Sequence, residues 1–162
     1  MKVLAVVLLV GFLAICQIEG HKGSRRGESS GTKRACYDLL KPSNATLFKA
    51  IQDLAANQTL FNQSLLDMSS HKGIMGAIEF IILKNATVIG ADNLINLAQA
   101  TTYLTTKLDA LSPPNQQLKD AVLARIATCV TQANAQTSVF RRACTFRKCI
   151  CGDSDRNDSS EG

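Results

Sequence analysis

Ser64, Asp67 and His71 offer a hydroxyl, a carboxylate and an imidazole within two turns of a predicted helix. These are the reagents of nucleophilic acyl transfer. Side chains on one straight helix diverge from its axis, however, whereas a triad converges in a cleft. The trio is therefore read as a solvated helix face. The other histidine, His21, becomes the N-terminal residue if cleavage follows Gly20. Amine and ring could then hold copper, but from a basic arm without fixed geometry. No Gly-rich phosphate loop, His-Glu-x-x-His helix or calcium loop is present. The expectation is a protein that is not an enzyme and carries neither cofactor nor metal.

Cysteine chemistry is more promising. The six cysteines are Cys16, Cys36, Cys129, Cys144, Cys149 and Cys151. Cys149-Ile-Cys151 superficially suggests a metal knuckle, but zinc wants four ligands at familiar spacing, usually with histidine. The compartment decides for disulfides. Met1-Lys2 and the apolar run at 3–15 read as the start of a secretory signal over 1–20, too short to span a bilayer core. Cleavage follows Cys16 or Gly20. No later segment reads as transmembrane, so a released, extracellular chain with paired cysteines is expected. Cys149 and Cys151 are too close to bridge each other easily. Of the five remaining cysteines one is left over. Cys129 is either that buried leftover thiol or is reached by the 36–43 segment tucked beneath the bundle, and the odd cysteine could link a dimer.

Secretion also turns Asn-x-Ser/Thr triplets into sugar acceptors. There are five, at Asn44, Asn57, Asn62, Asn85 and Asn157.

The net charge of +5 is unevenly placed. An arm over 21–34 carries Lys22, Arg25, Arg26, Lys33 and Arg34 against Glu28. Residues 35–139 are neutral. Residues 140–151 add Arg141, Arg142, Arg147 and Lys148, and 152–162 form an acidic tip. The arm and tip hold nothing that builds a core and are expected to be disordered. The two basic blocks are candidate anion-binding segments. Arg25, Arg26, Lys33, Arg34, Arg141, Arg142, Arg147 and Lys148 would contact an anionic glycan or mineral surface. Nucleic acid is not expected, with no recognisable module and eight Phe and Tyr in all.

The elements that must position these residues are helical. Leu47, Ile51, Leu54, Gln58, Phe61, Leu65 and Met68 alternate spacings of four and three, which predicts one long helix over 44–72. Ser43 or Asn44 caps it, and Gly73 ends it. Asn57 and Asn62 lie about 70° to either side of its stripe. Sugars on both would wall that face and leave partner binding to the helices predicted after residue 90 or the basic segment.

Ile74, Ile78, Ile81, Ile82, Val88 and Ile89 form a second face, stopped at Gly90. Leu94, Leu97, Thr101, Leu104, Leu108 and Leu111 form a third, capped by Asp92. Ser112-Pro113-Pro114 restarts the chain for a fourth helix to about 143, with Leu118, Val122, Ile126, Cys129, Ala133 and Phe140 inward. Short links favour an all-α, four-helix up-down bundle over 35–151. That topology brings Cys36 to the 144–151 cluster. The runner-up is a three-helix bundle with 74–111 continuous but kinked.

The function expected is a non-enzymatic extracellular interaction or matrix glycoprotein. Alternatives are a cytokine-like receptor ligand, an inhibitor of a secreted enzyme, and a carrier of a small hydrophobic ligand. Gly76, Ala77 and Ala86 would line the carrier's slot.

Overall fold

A computed structural model describes residues 30–67 and 70–153. The signal segment, the arm through residue 29 with Arg25 and Arg26, Met68 and the tip from residue 154 with Asn157 lie outside the described residues. Those described are all-helical, in seven helices: α1 (Ser30–Leu40), α2 (Asn44–Ala56), α3 (Gln58–Asp67), α4 (Ser70–Asn85), α5 (Leu97–Asp109), α6 (Gln116–Asn134) and α7 (Val139–Ile150). Residues 30–34, expected in the arm, are instead helical.

The predicted first helix is divided. Ser43 caps α2 as expected, accepting from the Thr46 N–H at 3.2 Å. Asn57 then ends α2, and its Oδ1 accepts from the Leu60 N–H at 3.0 Å to start α3. A cap residue lies at the one place where the stripe was already weak, beside polar Gln58. Beyond it the buried face rotates. Ser64 is wholly buried, whereas Leu65 and Leu66 are exposed. Gly73 supplies the reason. A Cβ there would lie 2.1 Å from the Ser64 carbonyl oxygen, so α3 and α4 touch backbone to backbone. Gly73 thus sits in the first turns of α4 and does not end a preceding helix.

α4 is the central helix, packed against α2, α3 and α7. Ala77, Ile78, Phe80, Ile81, Ile82 and Leu83 are all buried, as a helix covered on several sides requires. Gly76 lets α7 approach, since a Cβ there would meet Phe140 Cβ at 3.0 Å. Gly76 and Ala77 are therefore packing positions. The Phe140 ring stands edge-on to Phe80, with centroids 6.0 Å apart.

α4 stops at Asn85, earlier than Gly90. Residues 86–96 form a folded loop in which Val88, Ile89 and Ile95 are buried. Ile89 and Ile95 make an isolated antiparallel bridge. Asn134 of α6 brackets Ile95, accepting from its N–H at 2.9 Å and donating to its carbonyl at 3.0 Å. This loop removes the three-helix alternative, which needed 74–111 continuous. Asn96 caps α5, and Asp92 instead accepts from the Leu94 N–H within the loop. The buried face of α5 is Ala100, Leu104 and Leu108, leaving Leu94 and Leu97 exposed.

The fourth stripe is buried throughout, from Leu118 to Phe140. Its helix breaks at 135–138, however, where Ser138 caps α7 by accepting from the Arg141 N–H. α7 then packs on both α6 and α4.

Candidate functional site

Cys36 bridges Cys151, and Cys129 bridges Cys149. The first links α1 to the end of α7 across 115 residues of sequence. The second joins α6 to α7 across 20. Cys36 therefore does reach the C-terminal cluster. Cys129 is not the cysteine left over. Cys144 lies in neither bridge; it is half-buried on α7, and a Cβ on Gly76 would be 3.4 Å from its sulfur.

The bridged end carries a second clasp. Asp153 accepts from both the Lys33 ammonium and the Tyr37 hydroxyl. So Asp153, expected in the disordered tip, is fixed to α1, and Lys33 is neutralised there. Arg34, one residue on, remains exposed.

The basic residues of α7 divide into two pairs. Arg141 and Lys148 are exposed. Arg142 and Arg147 correct the sequence expectation because both turn inward. Arg142 is buried and donates to the Asn93 carbonyl at 2.6 Å and the Gln136 carbonyl at 2.7 Å. It ties the 86–96 loop to the α6–α7 link. Arg147 donates from Nη1 to Glu79 Oε2 of α4 at 3.0 Å. A helical wheel holds the signal that would have separated the pairs. Phe140, Ala143, Phe146 and Ile150 define the inner stripe. Arg147 falls about 45° and Arg142 about 95° from its centre, while Arg141 and Lys148 fall about 165° and 145° from it.

Glu79 is a polar residue that the sequence reading passed over. It is mostly buried where α4 meets α7, with Tyr103 and Lys107 of α5 facing it. Burial raises its carboxyl pKa, against the lowering influence of the Arg147 charge and hydrogen bond. Burial, helped by the Glu79 charge, pushes Tyr103 up to about 12. Lys107 lies over the Tyr103 ring at 5.1 Å. The spacing of Ile78, Ile81 and Ile82 does place Glu79 beside a buried stripe, but it names no partner.

Ser64 and Asp67 of the hydroxyl–carboxylate–imidazole trio have other partners. The Ser64 hydroxyl donates to the Phe61 carbonyl at 2.7 Å. Asp67 accepts from the Ser138 hydroxyl at 3.0 Å, and its carbonyl accepts from Arg141 at 3.4 Å. The His71 side chain lies outside the described residues.

Four candidate sugar acceptors are described, and all four are exposed: Asn44, Asn57, Asn62 and Asn85. Asn44 opens α2, Asn57 caps α3, Asn62 accepts from Gln58 at 2.9 Å, and Asn85 closes α4. Asn85 Nδ2 donates to Asp53 Oδ2 at 3.1 Å. Hydrogen bonds from Lys49 and then Asn85 hold the Asp53 carboxyl below the usual range. No helix among the described residues is long and apolar enough to cross a membrane.

Comparison with protein-family models, with curated proteins and with solved structures returns no match for this chain.

Proposed function

We propose that the chain is a secreted, N-glycosylated, non-enzymatic protein of the extracellular space that binds an anionic glycan or mineral surface. One observation carries the reading. The Cys36–Cys151 bridge joins the helix that ends the basic arm to the end of the helix that bears Arg141 and Lys148. Two positive segments far apart in sequence are thereby delivered by one covalent junction. Two intramolecular disulfides agree with an oxidising compartment. The exposed acceptors leave room for sugars. The four-helix up-down ground plan belongs to this reading too. It takes α2 with α3, α4, α5, and α6 with α7 as its four limbs, and the contact of Cys36 with Cys151 supports it.

The binding set is smaller than the charge count implies. It is the arm, Arg34, Arg141 and Lys148, without Arg142 and Arg147. The test is retention on a heparin-like polymer. Deleting 21–29 and changing Arg34, Arg141 and Lys148 to Ala should move elution to markedly lower salt, because exposed charges act only within a Debye length of ~10 Å at 0.1 M. Unchanged elution of a folded variant overturns the reading.

A further inference from the structure

Three described residues hold a left-handed backbone: Gly152 at φ 81°, Asn93 at φ 60° and Thr87 at φ 61°. Two of them are the types expected. Gly152 follows α7, where glycine ordinarily ends a helix. Asn93 is among the few side chains that tolerate this region, and its Oδ1 accepts from Lys84 at 2.7 Å. Thr87 is the anomaly, since a β-branched residue is disfavoured there. It occupies the glycine position of a Schellman ending for α4. The Thr87 N–H donates to the Lys84 carbonyl at 3.0 Å, and the Val88 N–H donates to the Leu83 carbonyl at 2.9 Å.

Nothing in its surroundings explains threonine. The side chain is exposed, and among the described residues its hydroxyl takes no hydrogen bond. Its role in sequence is the hydroxyl residue of Asn85-Ala86-Thr87. The other sequons differ. Thr46 shares a 2.9 Å hydrogen bond with the Ser43 cap. Ser64 is buried against Gly73. Thr59 is an ordinary residue in the first turn of α3.

We propose that Asn85 carries an N-linked oligosaccharide, and that Thr87 stands at a glycine position because sugar transfer requires its hydroxyl. This rests on the reading of the chain as secreted. In the transfer, the sugar's C1–O bond to a lipid pyrophosphate donor breaks as a C1–N bond forms to Asn85 Nδ2. The amide loses one proton to a base, and the lipid pyrophosphate leaves. The fold accommodates the product. Asn85 is exposed at the end of α4, and the N–H it retains can still donate to Asp53.

Full-length wild type, Thr87→Ser and Thr87→Gly are secreted from a eukaryotic cell and mapped by glycopeptide mass spectrometry. Asn85 should be occupied in the wild type and in Thr87→Ser, and bare in Thr87→Gly. Made without sugars in an oxidising bacterial compartment, Thr87→Gly should melt a few degrees above wild type, because glycine relieves the left-handed position. Asn85 bare while another sequon is occupied overturns the proposal and leaves the secreted-glycoprotein reading standing. Every sequon bare overturns both. A lower melting point for Thr87→Gly shows that the threonine stabilises the turn, and overturns the reason given for its presence.

Discussion

Six of the seven described helices fall into two regions that hold themselves together by different means. α1, α6 and α7 are tied by Cys36–Cys151 and Cys129–Cys149 and, among the described residues, bear no sequon. α2, α3 and α4 contain no disulfide and bear Asn44, Asn57, Asn62 and Asn85. In the first region covalent closure shrinks the unfolded ensemble. In the second, missing side chains do the work, since Gly73 admits the α3 backbone. Gly76 lets α7 approach α4 where the two regions meet. The sugars proposed above would sit on the region without cross-links. The basic junction proposed above would lie on the cross-linked one.

The largest expected effect comes from opening the covalent region. Replacing Cys36 and Cys151 together by Ser should cost about 4–5 kcal/mol, the chain-entropy value for a closed loop of ~100 residues. Replacing Cys129 and Cys149, which close 20 residues, should cost about 3 kcal/mol. Guanidinium unfolding midpoints rank the two. Equal losses would mean that loop length does not govern stability in this region.

A smaller effect comes from closing the gap in the other region. Gly73→Ala places a methyl on the Ser64 backbone, which cannot swing aside as a side chain would. The helices must part, at a cost of about 1–3 kcal/mol. Gly76→Ala meets Phe140 at 3.0 Å and should cost less. If Gly73→Ala is neutral by thermal unfolding, α3 is not seated on α4 as described, and the contrast between the regions weakens.

Legibility in the sequence followed that division only in part. The stripe from Leu118 to Ala133, which makes α6, was readable because a 3.6-residue period acts over five turns with large apolar side chains. The contact of Cys36 with the C-terminal cluster was the expectation drawn from an up-down order of helices. What periodicity missed was set by single atoms. Asn57 works as a cap inside a good stripe, Gly73 works by an absent Cβ, and Ser64 is buried because of it. Arg142 and Arg147 looked like surface charge because charge was counted by segment and not by helix face. Thr87 was visible as part of a sequon, but its left-handed backbone is a property of the chain's path that residue type argues against.

The seam between the regions yields the smallest effect and a distinctive sign. Glu79 of α4 meets Arg147 of α7, with Tyr103 and Lys107 facing from α5. Burial makes its carboxyl hold a proton more tightly folded than unfolded, where the pKa is ~4.3. The folded state then binds more protons than the unfolded state as pH rises from there through the raised value. Its stabilising contribution is complete below the unfolded pKa and is lost on the way up. Glu79→Gln keeps an acceptor for Arg147 and cannot titrate. Its stability relative to wild type should therefore rise with pH, by at most ~1.4 kcal/mol per unit for one proton. Asp53, on the face that bears the sequons, has the opposite sign. Its carboxyl is held low by Lys49 and Asn85, so its contribution is present at neutral pH and lost on acidification. Asp53→Asn should flatten the acid limb slightly, and less at high salt, because that pair is exposed. Urea midpoints across the acid-to-neutral range separate the two. If Glu79→Gln runs parallel to wild type at every pH, the carboxylate is solvated and the seam is open to water.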